Sequence, residues 1–245
     1  HLCAYTRMPP AHGTGNRGAG RMGSRVTRTG RVLEDVFFKK AKAAGYVARS
    51  AYKLLEIQEK HRIIPRGGQV LDLGCHPGAW LQVACQAIGP RSAGGAVLGI
   101  DLQETSKPGK WCDDRVVVVQ GDARELTLDF WQEYAPTGMD VVLSDMCHFT
   151  HGNKMMDSYK SLELAQTAVD IAMSAGPGSN GILRPGGSLI MKLLQGPGTM
   201  EFAADMRPYF KKVAWQRPKA TRSESKEVYL IGLKRHSPSD LSASA

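Results

Sequence analysis

The sequence predicts an α/β fold with a seven-stranded, mostly parallel sheet and helices on both of its faces. Short apolar runs of strand length alternate with longer segments that show the three- and four-residue apolar spacing of amphipathic helices. Such alternation is typical of parallel strands joined by crossover helices. No helical segment separates the last two strand candidates. We therefore expect an antiparallel hairpin at the edge of the sheet, with the last strand antiparallel.

The individual elements follow from the same patterns and from the residues that break them. Residues 34–62 have helical apolar spacing, and Gly45 is expected to divide them into two helices, the second at 49–61. The residues from Pro65 to Gly68 then break the chain. Further helices are predicted at 78–88, 125–134, 158–175 and 199–210. Strands are predicted at 69–73, 96–101, 116–120, 140–145, 187–193, 212–216 and 227–233.

Positive charge is unevenly distributed along the 245 residues, whose formal net charge is +9. Residues 1–33 contain six Arg and no acidic residue, and they show no apolar period. We interpret them as a basic, Gly- and Arg-rich disordered leader or transit-peptide remnant, followed by a single domain at 34–236 and a flexible tail at 237–245. This leader favours an organelle, either mitochondrion or chloroplast, over cytoplasm or nucleus. The alternative interpretation is a basic arm that holds RNA.

A second basic zone lies between Arg207 and Arg235, where nine Lys or Arg residues accompany only two acidic residues. Clustered positive charge of this kind is typical of a surface that binds a phosphate backbone. Within this zone, Lys219, Arg222 and Lys226 are the best candidates for phosphate contacts.

The five cysteines argue against two other classes of protein. Their number is odd and no Cys-x-x-Cys pair occurs, which disfavours a disulfide framework or a zinc ribbon and favours a reducing compartment. His148 and His151 lie near Cys147, but we interpret them as polar loop residues and expect no metal. No apolar stretch approaches the roughly 20 residues that a membrane-spanning helix needs, so no membrane partner is expected.

A glycine-rich turn joins the first predicted strand to a helix in the segment from Val70 to Trp80. Such a turn brings the backbone and a helix N-terminus close to a ligand. Asp101 ends the second strand, where a carboxylate can bind ribose hydroxyls, and Asp122 follows the third, placed to meet an adenine amino group. Pro77 removes a backbone donor that the pyrophosphate of NAD would use, so the turn favours S-adenosylmethionine.

Four charged residues far apart in the chain border predicted secondary structure. Asp145 and Lys192 end apolar strand candidates, Glu227 begins another, and Lys53 lies in the helix before the first strand. Side chains at the carboxyl ends of parallel strands gather in one crevice. These four groups are therefore expected to meet, although ordinary surface ion pairs are the alternative. Asp72, within the first strand, either braces the glycine turn or contacts the ligand.

These segments together resemble the FtsJ/RrmJ family of ribosomal RNA large-subunit 2′-O-methyltransferases. The resemblance covers residues 47–235 and depends on the order and spacing of five motifs. The motifs are Arg49-Ser50-Ala51-Tyr52-Lys53-Leu54, Leu71-Asp72-Leu73-Gly74-x-x-Pro77-Gly78-x-Trp80, Leu143-Ser144-Asp145-Met146, Leu183-Arg184-Pro185-Gly186-Gly187 and Ser225-Lys226-Glu227-Val228-Tyr229.

The resemblance implies a Rossmann-like S-adenosylmethionine-dependent methyltransferase fold that acts on ribosomal RNA or a large-subunit precursor. It implies a catalytic tetrad of Lys53, Asp145, Lys192 and Glu227. It also implies S-adenosylmethionine contacts from Gly74, Pro77, Gly78, Ala79, Trp80, Asp101, Asp122 and Asp145.

The chain departs from this family in two loops. Cys75 and His76 occupy positions where the family usually has small residues, and the segment 147–152 replaces an Ala-Pro-Asn sequence with a following Ser-Gly. The second departure keeps open the alternative of a non-catalytic ribosome assembly factor with the same fold. A 2′-O-methyltransferase that acts on transfer RNA or on an mRNA cap is a further alternative.

Lys192 is expected to contact the attacking ribose hydroxyl. It acts either as a base, if its pKa is lowered, or as a charged group that orients the hydroxyl and stabilises negative charge. Asp145 is expected to orient Lys192, and Lys53 and Glu227 complete the network. Tyr52, Trp215 and Tyr229 either stack on bases or pack inside the protein.

Overall fold

The fold is seen in a computed structural model, which describes residues 36–149, 152–174 and 181–237. The leader expected at 1–33, and all but the first residue of the tail expected at 237–245, lie outside the described residues. Those two assignments stay predictions.

Seven strands and six α-helices make up the described part of the chain. The strands are β1 (Gln69–Leu73), β2 (Ala96–Asp101), β3 (Val116–Gln120), β4 (Met139–Ser144), β5 (Leu183–Leu194), β6 (Phe210–Gln216) and β7 (Glu227–Arg235). The helices are α1 (Val36–Ala44), α2 (Ala51–His61), α3 (Ala79–Ile88), α4 (Leu128–Tyr134), α5 (Lys154–Ser174) and α6 (Thr199–Met206).

The strands form one sheet in the order β3-β2-β1-β4-β5-β7-β6. Strands β1 to β5 pair in parallel, whereas β7 runs antiparallel to both of its neighbours, β5 and β6. The predicted mostly parallel sheet and its terminal antiparallel hairpin are therefore confirmed. The last strand inserts beside β5, so that β6 forms the edge.

Helices cover both faces of the sheet because alternate strand residues point to opposite sides. Val70, Val141 and Ile190 pack with α2 and α3 on one face. Leu71 and Val142 pack with α5 and α6 on the other. Nearly every residue of the central strands is buried, which explains their continuous apolar sequences.

Several element boundaries differ from those predicted: α4 begins at Leu128 instead of 125, α6 ends at Met206 instead of 210, and α5 and β5 begin earlier than expected. Helix α5 begins at Lys154 instead of 158, because the side chain of Asn153 accepts the backbone N–H groups of Met155 and Met156, both at 3.2 Å. Strand β5 begins at Leu183, and its register with β4 shifts between Met139 and Val141. In neither case does apolar spacing mark the added residues. Within the described ranges, no helix is both long and apolar enough to cross a membrane.

Candidate active site

The sheet brings three of the four charged residues to one edge. We call the carboxyl edge the side of the sheet where β1, β4 and β5 end, at Leu73, Ser144 and Leu194. Asp145 follows β4 directly, and Lys192 lies two residues before the end of β5. Because β7 is antiparallel, its first residue, Glu227, pairs with Leu194 and starts at this same edge.

The four side chains form two short ion pairs there. Lys192 Nζ lies 3.1 Å from Asp145 Oδ1 and donates to the main-chain oxygen of Asp145 at 2.5 Å. Lys53, in the first turn of α2, places its Nζ 2.6 Å from Glu227 Oε1. All four side chains are largely buried. The four residues therefore meet at the carboxyl edge, as expected, and ordinary surface ion pairs do not describe them.

Tyr229 joins the two ion pairs into one network. Its hydroxyl lies 2.8 Å from Asp145 Oδ1 and 3.1 Å from Glu227 Oε1, and it can donate its one proton to either carboxylate. The side chain is fully buried and packs against Trp80, with ring centroids 5.6 Å apart. Tyr229 therefore does not stack on bases. It lies two residues after Glu227, on the same face of β7, and this spacing is the sequence signal that indicates it.

Burial and the neighbouring charges shift the pKa values of Asp145 and Lys192 in opposite directions, and the neighbouring charges together have the larger effect. Burial raises the pKa of Asp145, but the attraction of Lys192 and Lys53 and the hydrogen bond from Tyr229 together lower that pKa below its usual value. Burial lowers the pKa of Lys192, but Asp145, Cys147 and Glu227 raise it above its usual value. Burial, followed by the two neighbouring carboxylates, raises the pKa of the Tyr229 hydroxyl far above 10. Within the protein, Lys192 is therefore an ammonium group, Asp145 a carboxylate and Tyr229 neutral.

The glycine turn follows β1 at the carboxyl edge. Gly74 and Gly78 have φ angles of +75° and +101°, a region that residues with a Cβ rarely adopt. A Cβ on Gly74 would lie 2.9 Å from the backbone of Met146, and one on Gly78 would lie 2.7 Å from Pro108. Both positions therefore require glycine, because the turn is pressed between the segments that follow β4 and β2.

The first departure from the family pattern fits within this turn. Cys75 is buried against Gly99, where an added Cβ would lie 3.0 Å from the Cys75 sulfur. The backbone N–H of His76 donates to Asp101 Oδ2 at 2.9 Å, and its ring nitrogen Nδ1 lies 3.0 Å from Thr105 Oγ1. The side chain of Cys75 thus points into the protein, and the ring of His76 points toward Thr105.

The buried carboxyl group of Asp72 lacks hydrogen-bond partners in the described part of the fold. It is fully inaccessible, and neither oxygen has a hydrogen-bond partner among the described residues. Burial, with repulsion from Asp145 and Asp101, raises the pKa of Asp72 well above its usual value. It does not brace the turn by hydrogen bonds. An unpaired acidic group surrounded by two other acidic groups suits a cationic ligand.

The remaining cofactor candidates occupy different environments. Asp101 is held by the backbone N–H groups of His76 and Gln103, at 2.9 and 2.8 Å. Asp122 accepts hydrogen bonds from the backbone and guanidinium of Arg124, which lower its pKa. Asp122 is thus already paired with a cation that sequence reasoning did not consider.

Ala79 and Trp80 lie beneath the turn. Both side chains are buried, and Trp80 Nε1 donates to the backbone oxygen of Ser50 at 3.0 Å. Trp80 thereby joins α3 to the start of α2. The side chains of Ala79 and Trp80 pack inside the protein, and very little of their surface is exposed for contact with a ligand. Pro77 remains exposed on the turn.

The three predicted phosphate ligands lie on the loop between β6 and β7. Lys219, Arg222 and Lys226 are all exposed. This loop is fixed against α2 and the residues just before it, because Glu56 accepts a hydrogen bond from the backbone N–H of Lys219 at 2.7 Å and Arg49 donates to the backbone oxygen of Ala220. The basic loop therefore borders the helix that carries Lys53.

The second departure from the family pattern lies directly after Asp145. His148 Nε2 is 3.3 Å from Asp157 Oδ1, which ties this segment to α5, while Cys147 and Phe149 are exposed. His151 lies outside the described residues. Among those that are described, no group of three or more His, Cys, Asp or Glu is arranged to hold a metal ion.

Comparison with known proteins agrees with this geometry. The family model of FtsJ-like methyltransferases matches residues 46–235. The chain is 40% identical over 198 residues to a protein named ribosomal RNA large subunit methyltransferase E from Desulfatibacillum aliphaticivorans, covering 81% of this chain and 89% of that protein. It is 39% identical to a protein of the same name from Syntrophobacter fumaroxidans, covering 82% and 96% of the two chains.

A solved structure shares the same fold. The crystal structure of a protein described as a ribosomal RNA methyltransferase from Plasmodium falciparum superposes with a TM-score of 0.65 at 25% identity. The similarity covers 78% of this chain and 98% of that one. With the sheet order, the network at the carboxyl edge and these matches taken together, the chain belongs to the FtsJ-like methyltransferase family.

Proposed function

We propose that this protein transfers a methyl group from S-adenosylmethionine to a ribose 2′-hydroxyl of ribosomal RNA. The observation that supports this most directly is the continuous network of Lys53, Glu227, Tyr229, Asp145 and Lys192 beside the glycine turn. The substrate class comes from the relatives, which are named as methyltransferases of large-subunit ribosomal RNA.

The residues around the turn fit this methyl donor. S-adenosylmethionine supplies an activated methyl group on a cationic sulfur. Asp145 provides negative charge for a cation, and Asp72, which has no hydrogen-bond partner among the described residues, loses its proton more readily when a cation is bound nearby. Asp101 is held at the end of β2, where its remaining lone pairs can accept ribose hydroxyls. Gly74 and Gly78 keep the turn free of side chains at the points of closest approach.

The first role that we assign to the network is to align the ribose hydroxyl with the methyl group. A ribose hydroxyl is a weak nucleophile, so much of the rate comes from holding it in line with the methyl group. Lys192 is placed to contact this hydroxyl, and its ammonium group is fixed by two contacts with Asp145.

Proton transfer then depends on the charge of Lys192. Lys192 loses a proton more readily when a second cation is bound beside it, because like charges disfavour the ammonium form. As a neutral amine, Lys192 accepts the proton of the hydroxyl. The Lys53–Glu227 pair holds the start of α2 against the start of β7, and Tyr229 connects this pair to Asp145.

RNA binding is assigned to the basic loop between β6 and β7. Lys219, Arg222 and Lys226 are exposed on a loop fixed against α2, next to the Lys53–Glu227 pair. Phosphate contacts there would set the position of the strand without reading its sequence.

The decisive experiment measures transfer to large-subunit RNA that lacks ribose methylation. The purified chain is incubated with S-adenosylmethionine carrying a labelled methyl group and with ribosomes or free ribosomal RNA from cells without methyltransferase E. Label on the ribose at a discrete position, mapped nucleotide by nucleotide, is expected. Binding of donor and RNA without transfer to any ribosomal RNA would instead favour a ribosome assembly factor. Transfer to transfer RNA or an mRNA cap alone would change the substrate.

We further propose an organellar location, mitochondrial or chloroplast, on the basis of the acid-free, Arg-rich segment 1–33. Residues 1–33 fused to a fluorescent reporter are expected to direct it to an organelle. Replacing the six Arg with Gln should abolish this targeting. Diffuse fluorescence from the unaltered fusion would contradict the proposal.

A further inference from the structure

Two buried cysteines approach each other outside the catalytic network. Cys85 lies on α3 and Cys112 on the segment 102–115 that joins β2 to β3. Their Sγ atoms are 3.0 Å apart, and the two residues are 4% and 9% exposed. A covalent bond between them needs the sulfurs to approach by only about 1 Å, to a separation of about 2.05 Å.

The segment that carries Cys112 forms a wall of the glycine turn. Pro108 lies against Gly78, and Thr105 Oγ1 is 3.0 Å from the ring of His76. Further along, Lys110 Nζ donates to the backbone oxygen of Ala44 at 2.6 Å. Helix α3, which carries Cys85, begins directly after Gly78. A bond between the two sulfurs would therefore link the segment 102–115 covalently to α3, which starts at the glycine turn.

The pair is chemically asymmetric. The hydrogen bond from Cys85 lowers the pKa of Cys112, with further help from Lys107. The same hydrogen bond and burial raise the pKa of Cys85. Cys112 is thus the cysteine that forms a thiolate more readily, and it is also the more exposed residue of the two, at 9% against 4%. By contrast, burial raises the pKa of Cys75, which is 2% exposed.

We propose that Cys85 and Cys112 form a reversible disulfide that fastens the segment 102–115 to α3 and slows exchange of ligand at the glycine turn. The oxidant is a small-molecule disulfide. The Cys112 thiolate attacks one of its sulfurs and expels one thiolate. Cys85 then loses its proton and attacks the Cys112 sulfur, expelling the second thiolate. Two cysteines are oxidised, and one small disulfide is reduced to two thiols. The effect on exchange rests on the proposed function, whereas formation of the bond does not.

The first test identifies the bond in the intact protein. Cys147→Ser removes the one exposed thiol among the described residues, and the variant is incubated with glutathione disulfide. We expect a peptide pair linking Cys85 to Cys112 with the loss of two hydrogens, and a rise of several degrees in Tm that dithiothreitol reverses. Cys112→Ala in the same background should show neither change, while Cys75→Ala should show both. No linked pair, or linkage without a reversible rise in Tm, would overturn the proposal.

The second test measures exchange at the turn. Dissociation of S-adenosylmethionine from the oxidised protein is expected to be severalfold slower than from the reduced protein. An equal rate in a protein whose linkage is verified would overturn the effect on exchange. A protein that binds no donor in either state would contradict the proposed function, while the peptide and Tm measurements would still decide whether the disulfide forms.

Discussion

The hydroxyl of Tyr229 donates to Asp145 Oδ1 at 2.8 Å and so connects the antiparallel strand β7 to the end of β4. The Tyr229 hydroxyl also lies 3.1 Å from Glu227 Oε1. Two carboxylates that would otherwise repel each other thus share one proton donor. This link makes the two ion pairs of the site depend on each other.

Tyr229→Phe should therefore lower kcat without loss of the fold. The ring continues to pack against Trp80, but Asp145 and Glu227 lose a buried hydrogen-bond donor, at a cost of about 1–3 kcal/mol. We expect kcat to fall about tenfold, equivalent to about 1.4 kcal/mol. Donor affinity, measured by calorimetry, should change little. The control Tyr209→Phe alters an exposed tyrosine before β6 and should be neutral. Unchanged kcat in Tyr229→Phe would contradict the linking role.

The tetrad is predictable from sequence because each member borders a recognisable element, and Asp145 and Lys192 close apolar runs that parallel pairing must bring together. Tyr229 is harder to assign, since its hydroxyl partner is 84 residues away and its ring suits any buried strand. The isolation of Asp72 cannot be read from the sequence at all. It depends on which donors fail to reach a position enclosed by β1, Asp101 and Asp145.

Lys192→Ala should abolish methyl transfer while leaving the fold and donor binding largely intact. The more informative change is Lys192→Arg, because arginine keeps the positive charge but does not lose its proton. If Lys192 acts as a base, Arg should be as inactive as Ala, with kcat lower by at least about 100-fold. Single-turnover transfer measures the chemical step. Substantial activity in Lys192→Arg would instead assign Lys192 a purely electrostatic role.

The pH dependence of transfer should follow from the charge of Lys192. Its pKa is raised above the usual value by Asp145, Cys147 and Glu227, so the ammonium form dominates at neutral pH. The neutral form that accepts a proton becomes more abundant as pH rises. The rate at saturating donor and RNA is therefore expected to increase from pH 6 to 9, by up to about tenfold per pH unit. A flat profile over this range, with chemistry rate-limiting, would argue against a base.

Asp72→Asn should separate stability from donor binding. The pKa of Asp72 is raised in the folded state above its unfolded value of about 3.9. The favourable contribution of its protonated form is complete below that unfolded value and is lost as pH rises toward the folded pKa. The wild-type free energy of unfolding should therefore decline relative to Asp72→Asn as pH increases above about 4, with a difference of about 1–3 kcal/mol.

The effect of Asp72→Asn on the donor should have the opposite sign. Asparagine cannot ionise when a cation is bound beside it, whereas the unpaired Asp72 can, so the Kd for S-adenosylmethionine is expected to rise about tenfold or more, equivalent to at least about 1.4 kcal/mol. Denaturant unfolding from pH 4 to 8 and calorimetry measure the two quantities. Asp170→Asn alters an exposed acidic residue of α5 and is the matched control. Equal stability at every pH, or unchanged donor affinity, would contradict this account of Asp72.

Lys53 and Glu227 should behave as an energetically coupled pair. Their atoms are 2.6 Å apart and both side chains are largely buried, so removing either leaves the other without its countercharge. In a double-mutant cycle with Lys53→Ala and Glu227→Ala, we expect a coupling of about 0.5–3 kcal/mol in the free energy of unfolding. The double variant should be less destabilised than the sum of the single variants. Additive effects would show that the pair contributes little.

Salt dependence should test whether the loop between β6 and β7 binds RNA. Each phosphate contact made by a cation on single-stranded RNA adds about −0.7 to the slope of log K against log salt. Replacing Lys219, Arg222 and Lys226 with Ala should therefore reduce the magnitude of this slope by about 2, with weaker RNA binding at low salt. Lys211→Ala with Lys234→Ala removes exposed cations at the opposite end of β6 and β7, since Phe210 pairs with Arg235 there. That control should leave the slope nearly unchanged. Equal slopes for the triple variant and the wild type would place the phosphate contacts elsewhere.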